Sequence, residues 1–138
     1  MTAADPVNRT AILGEFVRFG CVGTLGFVVD STVLYAGLWA GLGLYLGRLV
    51  SYLASATFSW AVNRRFTFRS QLPPSVSEWL RFLAANSVGG MTNLAIYAAL
   101  VARFAMIAAH PVIAVGIGAI AGMFINFTLS RQAVFRPN

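Results

Sequence analysis

Two ionisable residues stand inside long apolar runs, Asp30 and Arg48. A charge at the centre of a membrane helix costs roughly 2.5 to 3.5 kcal/mol, so it needs a partner and marks a functional site by default. Counted from Arg18, Asp30 lies about 18 Å up one helix; counted back from Arg64, Arg48 lies about 24 Å up the next. The remaining offset of about 6 Å is within reach of an arginine side chain. Two chemistries fit. Arg48 grips a phosphate or pyrophosphate while Asp30 orients it or shuttles a proton, or the pair locks adjacent helices in register.

Neutral polar residues extend this pattern. Arg48, Ser51, Ser55, Ser59 and Asn63 recur at three- and four-residue spacing and so share one helix face. Their counterparts on the last run are smaller: Ala114, Gly118, Gly122, Asn126 and Ser130. On the third run Asn86, Gly90, Asn93 and Tyr97 share a face. Such faces line a partly polar groove for a sugar headgroup, or they are ordinary helix–helix contacts, with Gly118-x-x-x-Gly122 a close-packing motif. The serines and glycines fit the packing role. Asn86, Asn93 and Asn126 fit the groove, because amides hydrogen-bond sugar hydroxyls and are costly to leave unpaired in lipid.

The third chemical element is arginine at the ends of the runs: Arg18, Arg64, Arg65, Arg69, Arg81, Arg131 and Arg136. Most of these read as topology determinants facing anionic headgroups. Arg64 and Arg131 sit at the foot of the two polar faces and are the choices for docking a phosphate. Nothing resembles a catalytic constellation: His110 is the only histidine and stands beside Pro111, and there are no paired carboxylates, metal-ligand spacings or phosphate-cradling loops. The chain is therefore not expected to be an enzyme, and no cofactor or metal is expected.

The elements that position these residues follow from composition. The chain has 138 residues, 58% hydrophobic and 10% charged, where a soluble domain carries about 25% charge. There is too little polar surface to cover a water-soluble globule. All ten basic residues are arginine, and they punctuate apolar runs instead of forming a stripe, which argues against nucleic acid despite the net charge of +6. Cys21 is alone, so no intramolecular disulfide is possible, and a cleavable signal peptide is not expected.

Four runs approach the roughly 20 residues needed to cross a bilayer. They cover about Phe16 to Trp39, Leu42 to Val62, Phe82 to Ala102 and Val112 to Leu129. Asp5-Pro6 suits a helix start, Ser75 with Glu78 fits a capping box, and Asn63 to Ser77 reads as a soluble loop. Arg103 ends the third run and His110-Pro111 marks a turn. With four spans, eight arginines fall on the side of both termini, against Arg48 and Arg103 on the other, which places the termini in the cytoplasm. The small-residue faces Gly37-x-x-x-Gly41 and Gly118-x-x-x-Gly122 suit a homodimer contact as well as an internal one.

The runs repeat in pairs. Glu15-Phe-Val-Arg18-Phe19 aligns with Glu78-Trp-Leu-Arg81-Phe82 at an offset of 63, which places Gly26 on Gly89 and Asp30 on Asn93. The second member of each pair aligns at 67, so that SWAVNRRFTFR (Ser59 to Arg69) meets NFTLSRQAVFR (Asn126 to Arg136). Each unit is expected to be a two-helix hairpin, about 15–69 and 78–136, within a single domain over 1–138, giving an all-α membrane protein built as a parallel repeat.

The E-x-x-R-F openings, the acid in the first run, N-R-R-x-T-F-R after the second and N-F-x-x-x-R-x-x-V-F-R after the fourth resemble the GtrA-like family across about residues 15 to 136. The sequence departs from that pattern at Ala133, where the other copy has the aromatic Phe66. The resemblance implies a four-span protein of the bacterial inner membrane that moves polyprenyl-phosphate-linked sugars for cell-surface polysaccharides. Its substrate would be a polyprenyl-phosphate sugar lipid among membrane lipids. A second expectation is a non-catalytic anchor that recruits a glycosyltransferase. A third, a small proton-coupled drug exporter, is disfavoured by the strong arginine bias, since exporters that insert both ways need a weak one.

Overall fold

The computed structural model describes residues 6–110 and 112–135, and it divides the chain into two compact units, Met1–Pro73 and Pro74–Asn138. Asp5, Pro111 and Arg136 lie outside the described residues. Every regular element described is helical. In the first unit α1 spans Pro6–Trp39 and α2 spans Leu44–Val62; α2 runs on into a wider, π-helical turn over Asn63–Thr67. In the second unit α3 spans Val76–Arg103, α4 is the short Ala105–Ala109, and α5 spans Val112–Leu129 before a second π-helical turn over Ser130–Val134.

Helix ends have local causes. α1 stops because Gly41 takes a left-handed φ of 93°, which a Cβ would oppose. Gly41 N–H then bonds the Leu38 carbonyl (3.1 Å) and Leu42 N–H the Gly37 carbonyl (2.9 Å), the paired pattern that satisfies the last carbonyls of a helix. Gly41 is thus a turn residue, so the Gly37-x-x-x-Gly41 spacing is not a packing stripe on a helix. α3 begins at the expected cap: Ser75 is extended and its Oγ accepts from Glu78 N–H at 3.1 Å. Arg103 closes α3, and extended Phe104 leads into α4, a short helix ahead of the turn that the sequence marks at His110-Pro111.

Each unit is a pair of antiparallel helices, α1 on α2 and α3 on α5. In the first, Gly26 lets α2 come close: a Cβ there would lie 2.5 Å from Ser59 Oγ. In the second, Gly89 does the same, and a Cβ would lie 1.8 Å from Asn126 Oδ1. Gly118 and Gly122 face Asn93 and the Gly89 carbonyl, so this small-residue stripe is used within its own unit. The repeat offsets recur in the packing. Phe19 meets Phe68 with ring centroids 6.1 Å apart, and Phe82 meets Phe135 at 6.0 Å. Both π-helical turns close on an i to i+5 bond, Phe68 N–H to the Asn63 carbonyl and Phe135 N–H to the Ser130 carbonyl.

The apolar surface points outward. Trp39, Tyr35, Phe27, Leu94, Met91 and Ile120 are exposed, whereas the buried set consists largely of small side chains and phenylalanines at the helix contacts. Two stretches, Asn8–Trp39 and Ile113–Val134, are long and apolar enough to cross a membrane, with mean hydropathy 1.6 and 1.8. The sequence reading has four such runs. α2 and α3 concentrate the polar side chains, Arg48 with three serines on one and Asn86 with Asn93 on the other.

Candidate substrate-binding site

Asp30 and Arg48 meet. Asp30 lies three-quarters of the way along α1 and Arg48 in the second turn of α2, on antiparallel helices that the Gly41 turn joins. One guanidinium nitrogen, Nη1, donates to both carboxylate oxygens, at 2.8 Å to Oδ1 and 2.6 Å to Oδ2. This differs from a two-pronged fork: Nε and Nη2 make no hydrogen bond among the described residues. The side chains also differ in exposure, 16% for Asp30 and 58% for Arg48. The carboxylate is enclosed, and the cation keeps donors in reserve that match the planar geometry of a phosphate or carboxylate.

The polar face of α2 is spent within the first unit. Ser55 Oγ donates to the Gly26 carbonyl at 2.6 Å, and Ser59 fills the space over the same glycine. Ser51 is fully buried and returns its hydroxyl to the Arg48 carbonyl at 3.0 Å. Asn63, 2% exposed, accepts from Thr67 Oγ1 at 2.7 Å and so ties the π-helical turn across its own width. Thr67 escaped the sequence reading, although its spacing of four from Asn63 is a side-chain contact spacing on a helix.

In the second unit the amides occupy equivalent ground without charge. Asn126 Nδ2 donates to Asn86 Oδ1 at 3.3 Å, while Asn126 Oδ1 is buried over Gly89 and has no hydrogen-bond partner among the described residues. Asn93, at the position matching Asp30, is half-buried with its Oδ1 against Gly118. Val115 stands where the first unit has Arg48.

The run-end arginines divide. Arg64 Nη2 donates to Ser70 Oγ at 3.3 Å and to the Leu72 carbonyl, so Arg64 folds the segment after α2 onto itself. Arg131 is half-buried in the equivalent turn. Arg65 and Arg69 are exposed, as is Phe66 between them. Arg18 is half-buried, and its Nε is enclosed with no hydrogen-bond partner among the described residues. No cluster of three or more potential metal ligands occurs among the described residues.

A family model described as GtrA/DPMS, transmembrane domain, matches residues 18–136. No curated protein matches the chain.

Proposed function

The chain belongs to the GtrA/DPMS transmembrane-domain family, a family of membrane processes involving polyprenyl-phosphate sugars, and from that premise we propose that it translocates a polyprenyl-phosphate-linked sugar across the bacterial inner membrane. In this reading four helices, α1, α2, α3 and α5, span the bilayer with both termini cytoplasmic. The protein is a non-enzymatic carrier for cell-surface polysaccharide synthesis, acting as a monomer or a homodimer. The prenyl tail stays in lipid, so only the phosphate and the sugar need a protein path.

The observation that carries this reading is the uneven Asp30–Arg48 pair. A structural lock would enclose both partners and satisfy the guanidinium on several sides. Here Asp30 is enclosed and Arg48 is left more than half exposed with Nε and Nη2 unengaged. An arginine at membrane depth with spare donors calls for an acceptor, and the chain's other three acidic residues, Asp5, Glu15 and Glu78, lie far along the sequence from α2. A lipid phosphate supplies that acceptor, and Asp30 provides the counter-charge when the site is empty. Within the second unit, Asn86, Asn93 and Asn126 carry the amides, a side-chain type suited to sugar hydroxyls.

Transport of a labelled polyprenyl-phosphate sugar into proteoliposomes tests the reading. Asp30→Asn and Arg48→Ala are each expected to abolish transport with folded protein recovered. Wild-type rates from a stable Arg48→Ala protein would reduce the pair to a packing device.

A further inference from the structure

The segment that follows α2 is a folded object, not a slack loop. Its core is Asn63 bonded to Thr67, both buried. Phe68 packs edge-on against Phe19 of α1. Arg64 then reaches forward to Ser70 Oγ and the Leu72 carbonyl, and its own carbonyl accepts from Ser70 N–H at 2.9 Å. Within this frame Arg69 is held at a φ of 49°, a left-handed conformation that a side chain adopts only at a cost, and Gln71 Nε2 donates to its carbonyl at 3.1 Å. The frame turns Arg65, Phe66 and Arg69 outward. Phe66 is 60% exposed, and the two guanidinium groups have no partner among the described residues.

The sequence pattern favours Arg64 for docking a phosphate, because it matches Arg131. The geometry points instead to Arg65 and Arg69 as the docking pair, with Arg64 as the positioning residue that shapes their frame. We infer that this cap is a loading station for the phosphate of the lipid-linked sugar, at the opposite end of α2 from Arg48. From Arg48 to Arg64 is about 24 Å along a helix, close to the thickness of the hydrocarbon layer. One helix therefore carries guanidinium groups at both ends of the path a phosphate must travel. The exposed ring of Phe66 suits the interface where such a headgroup enters. The corresponding turn in the second unit has Gln132 at the Arg65 position and Ala133 at the Phe66 position, so only one unit builds the cap in full.

This inference rests on the transport reading, and the experiment separates the two. Full-length protein in proteoliposomes is assayed for initial transport rate against the mole fraction of a short-chain polyprenyl-phosphate hexose labelled in the sugar. Retention of the same probe in nanodiscs is measured alongside. The double variant Arg65→Gln/Arg69→Gln is expected to raise the half-saturating mole fraction about tenfold, the loss of charge-assisted contacts to one phosphate, with the maximal rate within about twofold of wild type. Arg64→Gln is expected to follow it although both docking arginines remain, and Arg65→Lys/Arg69→Lys to recover part of the loss. Arg9→Gln removes one exposed charge from α1 and is expected to leave both parameters unchanged. A double variant with wild-type half-saturation overturns the loading station. So does equal displacement of the probe by excess phosphatidylglycerol, which would make the cap a general anionic-lipid surface. Probe retention that depends on Arg65 and Arg69 without transport upholds the station and overturns the transport reading; neither retention nor transport overturns both.

Discussion

At the scale of single residues, side chains of the same type have opposite uses, and burial separates them. Arg64 and Arg65 are sequence neighbours, yet one is tied to Ser70 and Leu72 and the other faces out. Asn63 and Asn126 are both amides on polar faces, but Asn63 accepts from Thr67 and Asn126 keeps a buried oxygen without a donor among the described residues. The second contrast yields a stability prediction. Thr67→Val removes the donor to a buried acceptor, which costs about 1–3 kcal/mol, whereas Thr67→Ser keeps it. Thermal unfolding in detergent should show a lower midpoint for the valine variant and a smaller change for serine. Equal midpoints for valine and wild type would mean that this bond does not hold the turn. The Asp30–Arg48 contact was legible from sequence because charges are rare in apolar runs and helix rise fixes their depth. The tie of Arg64 to a backbone carbonyl eight residues on was not, since no side-chain pattern marks it.

At the scale of elements, α5 occupies the run from Val112 to Leu129 that hydropathy delimits, and Ser75 caps α3 as its spacing to Glu78 requires. α1 starts at Pro6, ahead of the apolar run, because the polar residues before Phe16 continue the helix without altering the apolar pattern. The π-helical turns were invisible for a related reason: one widened turn changes a hydrogen-bond register and leaves composition unchanged. Close packing at the repeat glycines can be ranked. A Cβ at Gly122 would meet the Gly89 carbonyl at 2.7 Å, and backbone cannot rotate away. At Gly26 it would meet the Ser59 hydroxyl, which can. Gly122→Ala should therefore cost more than Gly26→Ala, within the range of about 1–3 kcal/mol for overpacking. Adding Ser59→Ala to Gly26→Ala should recover stability. Gly90→Ala, with nothing within 4 Å, should be neutral or stabilising. Unfolding midpoints for the four proteins check the order, and a Gly122→Ala protein as stable as Gly90→Ala would contradict it.

At the scale of the whole molecule, two units share a frame of matched rings, glycines and π-helical turns, and within the apolar runs they differ in charge at one ion pair. Asp30 and Arg48 in the first stand against Asn93 and Val115 in the second. Since the second unit packs without the ion pair, packing alone does not account for it. The proposed topology places both termini on one side and the segment near His110 on the other. Reporters fused at the termini should read cytoplasmic and one at His110 periplasmic; a cytoplasmic signal at His110 would end the four-span reading. The central claim, that the ion pair handles a lipid phosphate, is tested most directly by one series in proteoliposomes: wild type, Asp30→Asn, Arg48→Ala and the double variant, assayed for uptake of labelled polyprenyl-phosphate sugar. The account predicts uptake by wild type alone, with the double variant folding at least as well as either single one because neither charge is left stranded. Wild-type uptake by a stably folded Arg48→Ala protein would contradict it.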